Sequence, residues 1–488
     1  MAPDESGDRT ARAHAMFNEA FEAQRAERLD DAIGLYNRLL AFAPRYLAAY
    51  NNLGVALRRT NRFAEAVACY RRSLEFEPDN AQALSNLGNA LKDLHRLDEA
   101  IAALRRAAAL KPDDAGILYN FGIALKDAGR LDEALALYAR AAKLRPEDPD
   151  IPWDIALALL TKPDFARGWP AYEARWGLKD NPPPKLAQPR WDGGPLDGRR
   201  ILVTSEQGFG DSLQFARFLP RVKTLGGHVI AETREPLARL LAAVEGVDEV
   251  APREKPLPPF DVHVPLLSLP LLFKTDLAQL PGPVPYLGAP AGLDQKFLDF
   301  LAPASGRLKV GLVWSGSTTF KNNRNRATGL DSFLGLLEIP GVTFISLQKG
   351  PPKADLDACG CRGLMLDADP LLDDFADTAA LIGALDLVIM TDSAVAHLAG
   401  ALGKPVWVLL CFAADWRWLK ERDDSPWYPS MRLFRQKTPG RWDDVFARVK
   451  AEFAKLAGGT AKGAPAPRRP ERRGNGRQHT SKRPHRAR

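Results

Sequence analysis

Between residues 13 and 148 the chain is four back-to-back copies of a 34-residue unit, at 13–46, 47–80, 81–114 and 115–148. A proline closes each copy at the same point: Pro44, Pro78, Pro112 and Pro146. Ala32, Ala66, Ala100 and Ala134 stay in register, as do Tyr36, Tyr70, Leu104 and Tyr138. Three copies pair an apolar residue with glycine (Leu53-Gly54, Leu87-Gly88, Phe121-Gly122) and follow it with alanine at 56, 90 and 124. A helix–turn–helix unit of this size cannot bury its apolar stripe alone, so neighbours must stack into a solenoid with a concave, binding face. One register also repeats an asparagine, at Asn18, Asn52, Asn86 and Asn120, and Asp154 continues the series. An amide both donates and accepts, so such a row can pair with the backbone of an extended peptide whatever its sequence. Equally, each asparagine can brace its own repeat.

Residues 149–182 read as a degenerate fifth copy, with Ile155, Phe165 and Tyr172 where earlier copies have Leu53, Phe63 and Tyr70. Its aromatic run from Phe165 to Trp176 suits a capping repeat packed against another domain. A Pro/Gly-rich linker follows at 183–198. Short apolar runs then alternate with helical stretches, predicting strands at 201–204, 229–232, 247–251 and 262–265, and at 310–315, 342–347, 364–366, 387–391 and 406–410. That alternation predicts parallel sheets covered on both faces. We read two Rossmann-like lobes, 199–285 and 307–457, joined by a linker at 286–306. Ligands of such sheets bind at the carboxyl ends of strands.

Composition narrows the class. Four cysteines, Cys69, Cys359, Cys361 and Cys411, are too few and scattered for a disulfide framework. Cys359-Gly-Cys361 has no second ligand pair nearby and reads as a turn, and no metal site is expected. Residues 1–12 are polar and are expected to be a flexible N-terminus. Neither a secretory signal nor a membrane-length apolar run is present, so a cytoplasmic location is expected. Of the whole-chain charge of +7, residues 458–488 supply +9, from ten Lys/Arg against one Glu. The remainder is about −2, and specific nucleic-acid binding is not expected of it. The basic tail itself is expected to be disordered, either a solubilising terminus or a weak contact for an anionic surface.

Three segments carry chemistry. In 201–220 a strand opens into Gly208-Phe-Gly210-Asp211 before a helix; glycines admit a close ligand and a helix start offers free N–H groups. Asp211 reads either as an N-cap or as a base taking a proton from an attacking hydroxyl. In 386–410, Thr391, Asp392 and Ser393 lie where a strand feeds a helix, a place that favours an anion. His397 sits one turn further on the same face. In 310–330 a strand opens into a polar loop with Lys321, Arg324 and Arg326, suited to a phosphate or simply solvated.

The repeats resemble tetratricopeptide (TPR) domains. Gly210-Asp211, Thr391-Asp392-Ser393 with His397, Asp415-Trp-Arg-Trp418 and Ser425-Pro-Trp-Tyr-Pro429 together resemble the glycosyltransferase family 9 type, the heptosyltransferase family, which has the GT-B fold. From residue 13 to about 455 the chain is similar to bacterial TPR proteins fused to such a domain. The resemblance implies a fold of α-solenoid followed by α/β, and Asp211 as catalytic base. It implies donor binding by Gly208, Gly210, Ser317, Lys321 or Arg324, Thr391, Asp392, Ser393 and His397. It further implies inverting, metal-independent transfer from a nucleotide sugar, with no other cofactor. The histidine that follows the Gly-Asp pair in heptosyltransferases is missing here, where the stretch reads Ser212-Leu-Gln214-Phe, which argues against heptose as the sugar and a lipopolysaccharide acceptor. The asparagine row resembles that of the O-linked N-acetylglucosamine transferases. The expectation is a transferase whose TPR arm recruits a polypeptide Ser/Thr hydroxyl, for instance on a surface protein such as flagellin. The alternatives are a glycan or lipid acceptor, or a non-catalytic TPR scaffold.

Overall fold

The computed structural model describes residues 5–289, 294–320 and 322–461. Five helix pairs build the solenoid: Glu5–Arg25 with Leu29–Phe42, Leu47–Arg59 with Phe63–Phe76, Ala81–Asp93 with Leu97–Leu110, Ala115–Asp127 with Leu131–Leu144, and Asp150–Thr161 with Phe165–Tyr172. The repeated small residues are points of close approach. A Cβ on Gly54, Gly88 or Gly122 would lie 2.5 Å from the Tyr70 ring, Leu104 Cγ or the Tyr138 ring. Any side chain there would force the two helices of a repeat apart. Ala32, Ala66, Ala100 and Ala134 are fully buried for the same reason. Each turn between paired helices passes through a left-handed residue, Glu27, Asn61, His95 and Gly129, again 34 apart.

The first helix starts at Glu5, so residues 5–12 are not the flexible terminus expected of them. Nothing in that stretch breaks a helix, and Arg9 and Arg12 lie over the Phe42 ring at 5.2 and 5.1 Å while Arg9 donates to the Phe42 carbonyl. At the other end the final helix, Asp443–Ala461, runs past the expected start of the tail at 458. The rest of the basic tail lies outside the described residues.

Beyond the solenoid stand two all-parallel sheets. The first contains β1 (Arg200–Thr204), β2 (His228–Thr233), β3 (Glu249–Pro252) and β4 (Val262–Pro265), in the order β3-β2-β1-β4. The second contains β5 (Leu308–Val313), β6 (Val342–Ser346), β7 (Met365–Asp367), β8 (Leu387–Thr391), β9 (Val406–Leu410) and β10 (Met431–Arg435), in the order β10-β9-β8-β5-β6-β7. The strand β10 was not expected: its MRLFR sequence mixes arginines into an edge position, and Arg432 points outward while Met431, Leu433 and Phe434 are buried. In both sheets the chain moves outward from the first strand and returns to its other side. The direction of winding therefore reverses between β1 and β4 and between β5 and β8. Crevices at such reversals are where open parallel sheets bind ligands.

The three parts share one core. Phe165 and Trp169 of the last helix pair pack with Phe215 and Phe218 of the first lobe and Trp416 and Trp427 of the second. Trp169 is central: its ring lies 5.5 Å from Trp416 and 6.3 Å from Phe215, and Nε1 donates to the Thr275 carbonyl at 2.7 Å. Among the described residues no helix is long and apolar enough to cross a membrane.

Candidate functional site

The helices that follow the two reversal points, Phe209–Phe215 after β1 and Ala394–Ala401 after β8, pack against each other between the lobes, and we call the junction around them the crevice. The loop after β1 is pinned residue by residue. Ser205 N–H donates to Glu232 Oε2 at 2.6 Å, and Glu206 receives Arg175 on both oxygens, at 2.8 and 3.0 Å. Gln207 takes a left-handed backbone, its side chain accepting from the Tyr172 hydroxyl at 3.3 Å and its carbonyl from Arg234 at 2.7 Å. A strained residue held from several sides marks a loop whose shape is specified.

The following helix is Phe209–Phe215, with Gly208 as its N-cap. Asp211 is therefore not the cap residue; it is three places further in, and its Oδ2 reaches back to accept the Gly208 N–H at 2.8 Å. Its Oδ1 accepts from Arg417 Nη2 across the crevice. Burial raises the proton affinity of Asp211 above the usual carboxylate range, and Arg417 opposes that rise.

Arg417 was present in the sequence only as part of Asp-Trp-Arg-Trp; the fold makes it the hub. Besides Asp211, its Nε donates to Gln214 Oε1 at 2.7 Å and its Nη1 to Asp415 Oδ1 at 2.9 Å. The guanidinium lies 4.5 Å from the Trp416 ring centroid and its side chain is 9% exposed. One buried cation thus joins two residues of the first lobe to its own, using the forked geometry that only arginine offers.

On the opposite wall β8 leads into the helix Ala394–Ala401. The two lobes touch where a Cβ on Gly210 would lie 2.9 Å from His397 Cδ2, so glycine is required for the approach. His397 is buried, bonded through Nδ1 to the Tyr428 hydroxyl at 2.9 Å and stacked on Trp418 at 5.1 Å. Burial, assisted by Arg417, lowers its pKa to about 3, so it is a neutral imidazole. Thr391 Oγ1 and Ser393 Oγ are buried without a hydrogen-bond partner, and so are Asn323 Oδ1 and Arg326 Nε from the loop after β5. Arg326 Nη1 lies 3.7 Å from Asp392 Oδ2, and Gly316 packs between Asn323, Arg326 and Ser393. Buried polar atoms are normally satisfied; four orphans gathered at one strand reversal form a polar cradle.

The loop after β5 does not place its cations as expected. Arg324 turns away from the crevice, donating to Asn61 Oδ1 at 3.0 Å and Asp93 Oδ1 at 3.2 Å of the repeats, with its guanidinium 4.7 Å from the Phe63 ring. Two residues on, the short turn has rotated enough to aim Arg326 at the cradle instead. Ser317 is exposed and bonded to Thr319 at 2.8 Å. Lys321 lies outside the described residues.

Along the solenoid, Asn18 is exposed and Asn52, Asn86 and Asn120 are half-buried. Asn86 accepts from Gln82 of its own helix at 3.2 Å, and Asn120 donates to Ser85 of the preceding repeat at 3.3 Å, so these two brace the repeats. It ends in Asp154, which pairs with Lys126 and accepts from the Tyr119 hydroxyl at 2.6 Å. Among the described residues no group of three or more His, Cys, Asp or Glu could hold a metal ion.

The neutral state of His397 has a thermodynamic consequence. The unfolded imidazole titrates near ~6.5 and the folded one near 3, so the unfolded chain binds the proton first. The contribution is complete above about pH 6.5 and falls by about 1.4 kcal/mol per pH unit as acid is added, until pH nears 3. In urea unfolding, His397→Phe should lose about 2–3 kcal/mol less than wild type between pH 6.5 and 4.5. Equal acid losses would mean that the ring is solvated and ionises in place.

Two family models match the N-terminal region: "TPR repeat" at residues 56–95 and 88–129, and "Tetratricopeptide repeat" at 119–178. Protein FlbA of Caulobacter vibrioides is 31% identical over 327 residues, covering 59% of this chain and 52% of its own length. The chain thus spans about half of that curated relative. Among solved structures, MamA from Desulfovibrio magneticus is 20% identical, covering 33% of this chain and 90% of its own at a TM-score of 0.30. YrrB, described as a TPR protein with an unusual peptide-binding site, is 22% identical, covering 34% and 85% at a TM-score of 0.30.

Proposed function

We propose that the chain is a glycosyltransferase of the GT-B, family 9 type, moving a sugar from a nucleotide-sugar donor to a hydroxyl on a polypeptide held by its TPR repeats. TPR repeats are protein-interaction modules, and the N-terminal half of the reading rests on them. One observation carries the other half. The polar cradle of Thr391, Ser393, Asn323 and Arg326 stands at the β5/β8 reversal, and the helix that leaves it packs against the helix that carries Asp211. A nucleoside diphosphate would supply acceptors for the Thr391 and Ser393 hydroxyls and for the Arg326 N–H, and donors for Asn323 Oδ1. His397, being neutral, offers an N–H without the desolvation cost of a buried second cation.

In this mechanism the acceptor hydroxyl enters the crevice on the Asp211 side. Asp211 takes its proton as the oxygen forms a bond to the anomeric carbon. The bond from that carbon to the diphosphate oxygen breaks on the opposite face, so configuration inverts and the nucleoside diphosphate leaves. Charge accumulating on the leaving oxygen is met by Arg326 and the start of the Ala394–Ala401 helix, whose donors are already in place.

A thermal-shift screen of ADP-, GDP-, UDP- and CMP-linked sugars tests the donor half. The cognate donor at 100 times its Kd should stabilise the protein by about 2.7 kcal/mol, and His397→Ala should abolish most of that shift. No shift with any nucleotide sugar would overturn the reading in favour of a TPR scaffold.

A further inference from the structure

Both loops that form the crevice are held from the repeats rather than from their own lobes alone. On the first-lobe side, Arg175, which follows the last repeat helix, is fully buried and grips Glu206, while Glu173 and Ser268 complete the cluster at 2.7 Å each from Arg175. Tyr172 holds Gln207 from the same segment. On the second-lobe side, Arg324 reaches Asn61 of the second repeat and Asp93 of the third. Asp93 is a hub in its own right: its side chain is 4% exposed and it also pairs with Arg58 at 2.5 Å and Lys92 at 3.3 Å.

These anchor points follow the period of the solenoid. The left-handed turn residues Asn61, His95 and Gly129 receive, in order, Arg324, the loop at Gly440 and Lys420. A Cβ on Gly440 would lie 2.6 Å from His95, and Lys420 Nζ donates to the Gly129 carbonyl at 2.8 Å. The second lobe therefore lies along one edge of three successive repeats. Within the four-residue turn Asn323–Arg326, Arg324 faces that edge and Arg326 faces Asp392 and the cradle. A single turn of backbone separates the contact with the repeat edge from the contact with the cradle.

We propose that Arg324 is a positioning residue through which the second and third repeats set the conformation of the crevice segment 322–330, and hence the affinity of the crevice for a nucleotide. The array is then a wall of the site, and a polypeptide that shifts the second and third repeats on docking elsewhere acts on the crevice as well. The nucleotide part of this statement rests on the transferase reading; the loop part does not.

Amide hydrogen exchange over 322–330 in the full chain separates the two. Arg324→Gln and Asp93→Asn should each raise exchange of that segment about tenfold or more while the repeat helices stay protected, and the double variant should add little to either. Unchanged protection in Arg324→Gln would overturn the proposal, and because its side chain is 43% exposed this variant should fold. In parallel, the nucleotide diphosphate that binds wild type most tightly among ADP, GDP, UDP and CDP should bind Arg324→Gln roughly 5- to 20-fold more weakly. Loosened exchange with unchanged affinity would overturn the link to the cradle. Absence of nucleotide binding in wild type would remove the transferase reading and leave the exchange result to decide the loop.

Discussion

Arg417→Ala should lower the unfolding free energy by about 3 kcal/mol, the cost of leaving the largely buried Asp211 carboxylate without its counter-ion. The arginine reaches a residue 206 places away in sequence, and its removal strands Asp211, frees the exposed Asp415 and takes the Nε donor from Gln214 Oε1. Gln214 is fully buried and its Nε2 already lacks a partner, so nothing nearby can absorb the loss. The deficit should depend on pH. Asp415, an exposed carboxylate held below its ordinary range by Arg417, contributes a solvent-screened stability above the unfolded carboxylate range that is lost as pH falls through its folded value. Without the arginine, both carboxylates rise and are relieved by protonation, so the gap between variant and wild type should narrow from pH 8 to pH 5. Arg417→Lys restores charge without the fork and should recover less than half. Trp416, Trp418, Trp427 and Trp169 all lie buried close by, so intrinsic fluorescence during denaturant unfolding reads the junction directly. A loss below about 1 kcal/mol would reduce this contact to the worth of a surface ion pair.

How far the sequence foretold this arrangement depended on the range of the interaction. The solenoid was legible because its rule is local and repeated: a glycine at 54, 88 and 122 facing a large residue sixteen places on is visible as a period. Strands inside the sheets were legible as apolar runs. The edge strand β10 was not, since Arg432 and Arg435 interrupt its apolar residues and its identity comes from pairing with β9. The positions of Gly208 to Asp211 and Thr391 to His397 at strand ends were readable, and the parallel order of both sheets makes these ends the reversal points. What sequence could not supply was direction. Arg324 and Arg326 are two residues apart and alike in chemistry, yet one serves the repeats and the other the cradle, because a short turn fixes their azimuths and the solenoid edge offers Phe63, Asn61 and Asp93 to only one of them. Arg417 was marked only as a member of the Asp415-Trp-Arg-Trp418 motif, and its role was not local: its partners Asp211 and Gln214 belong to another lobe. Asp211 itself was seen as a cap or a base, and the fold makes it a cap partner at the third position that also faces the crevice.

That double duty decides what Asp211→Asn should do. The amide is isosteric, but it cannot accept from both Gly208 N–H and Arg417 with its two ends: one contact becomes donor against donor. We expect a stability loss of about 1–3 kcal/mol, smaller than for Arg417→Ala, because removing the aspartate also removes a charge that burial disfavours. Transfer should fall far more steeply, by roughly 10²- to 10⁴-fold in kcat, the usual contribution of a positioned base. Donor affinity should change little, since the cradle is on the other wall. The pH profile separates chemistry from folding. In wild type the base must be ionised, and because its proton affinity is raised, the rate should fall on the acid side at a pH above that of an ordinary carboxylate. The residual rate of Asp211→Asn should show no such limb. Release of the nucleoside diphosphate from whichever donor the thermal screen identifies provides the assay. If the variant keeps more than about a tenth of the wild-type rate with the acid limb in place, Asp211 acts only as helix cap and partner of Arg417, and the proton must leave by another group in the crevice.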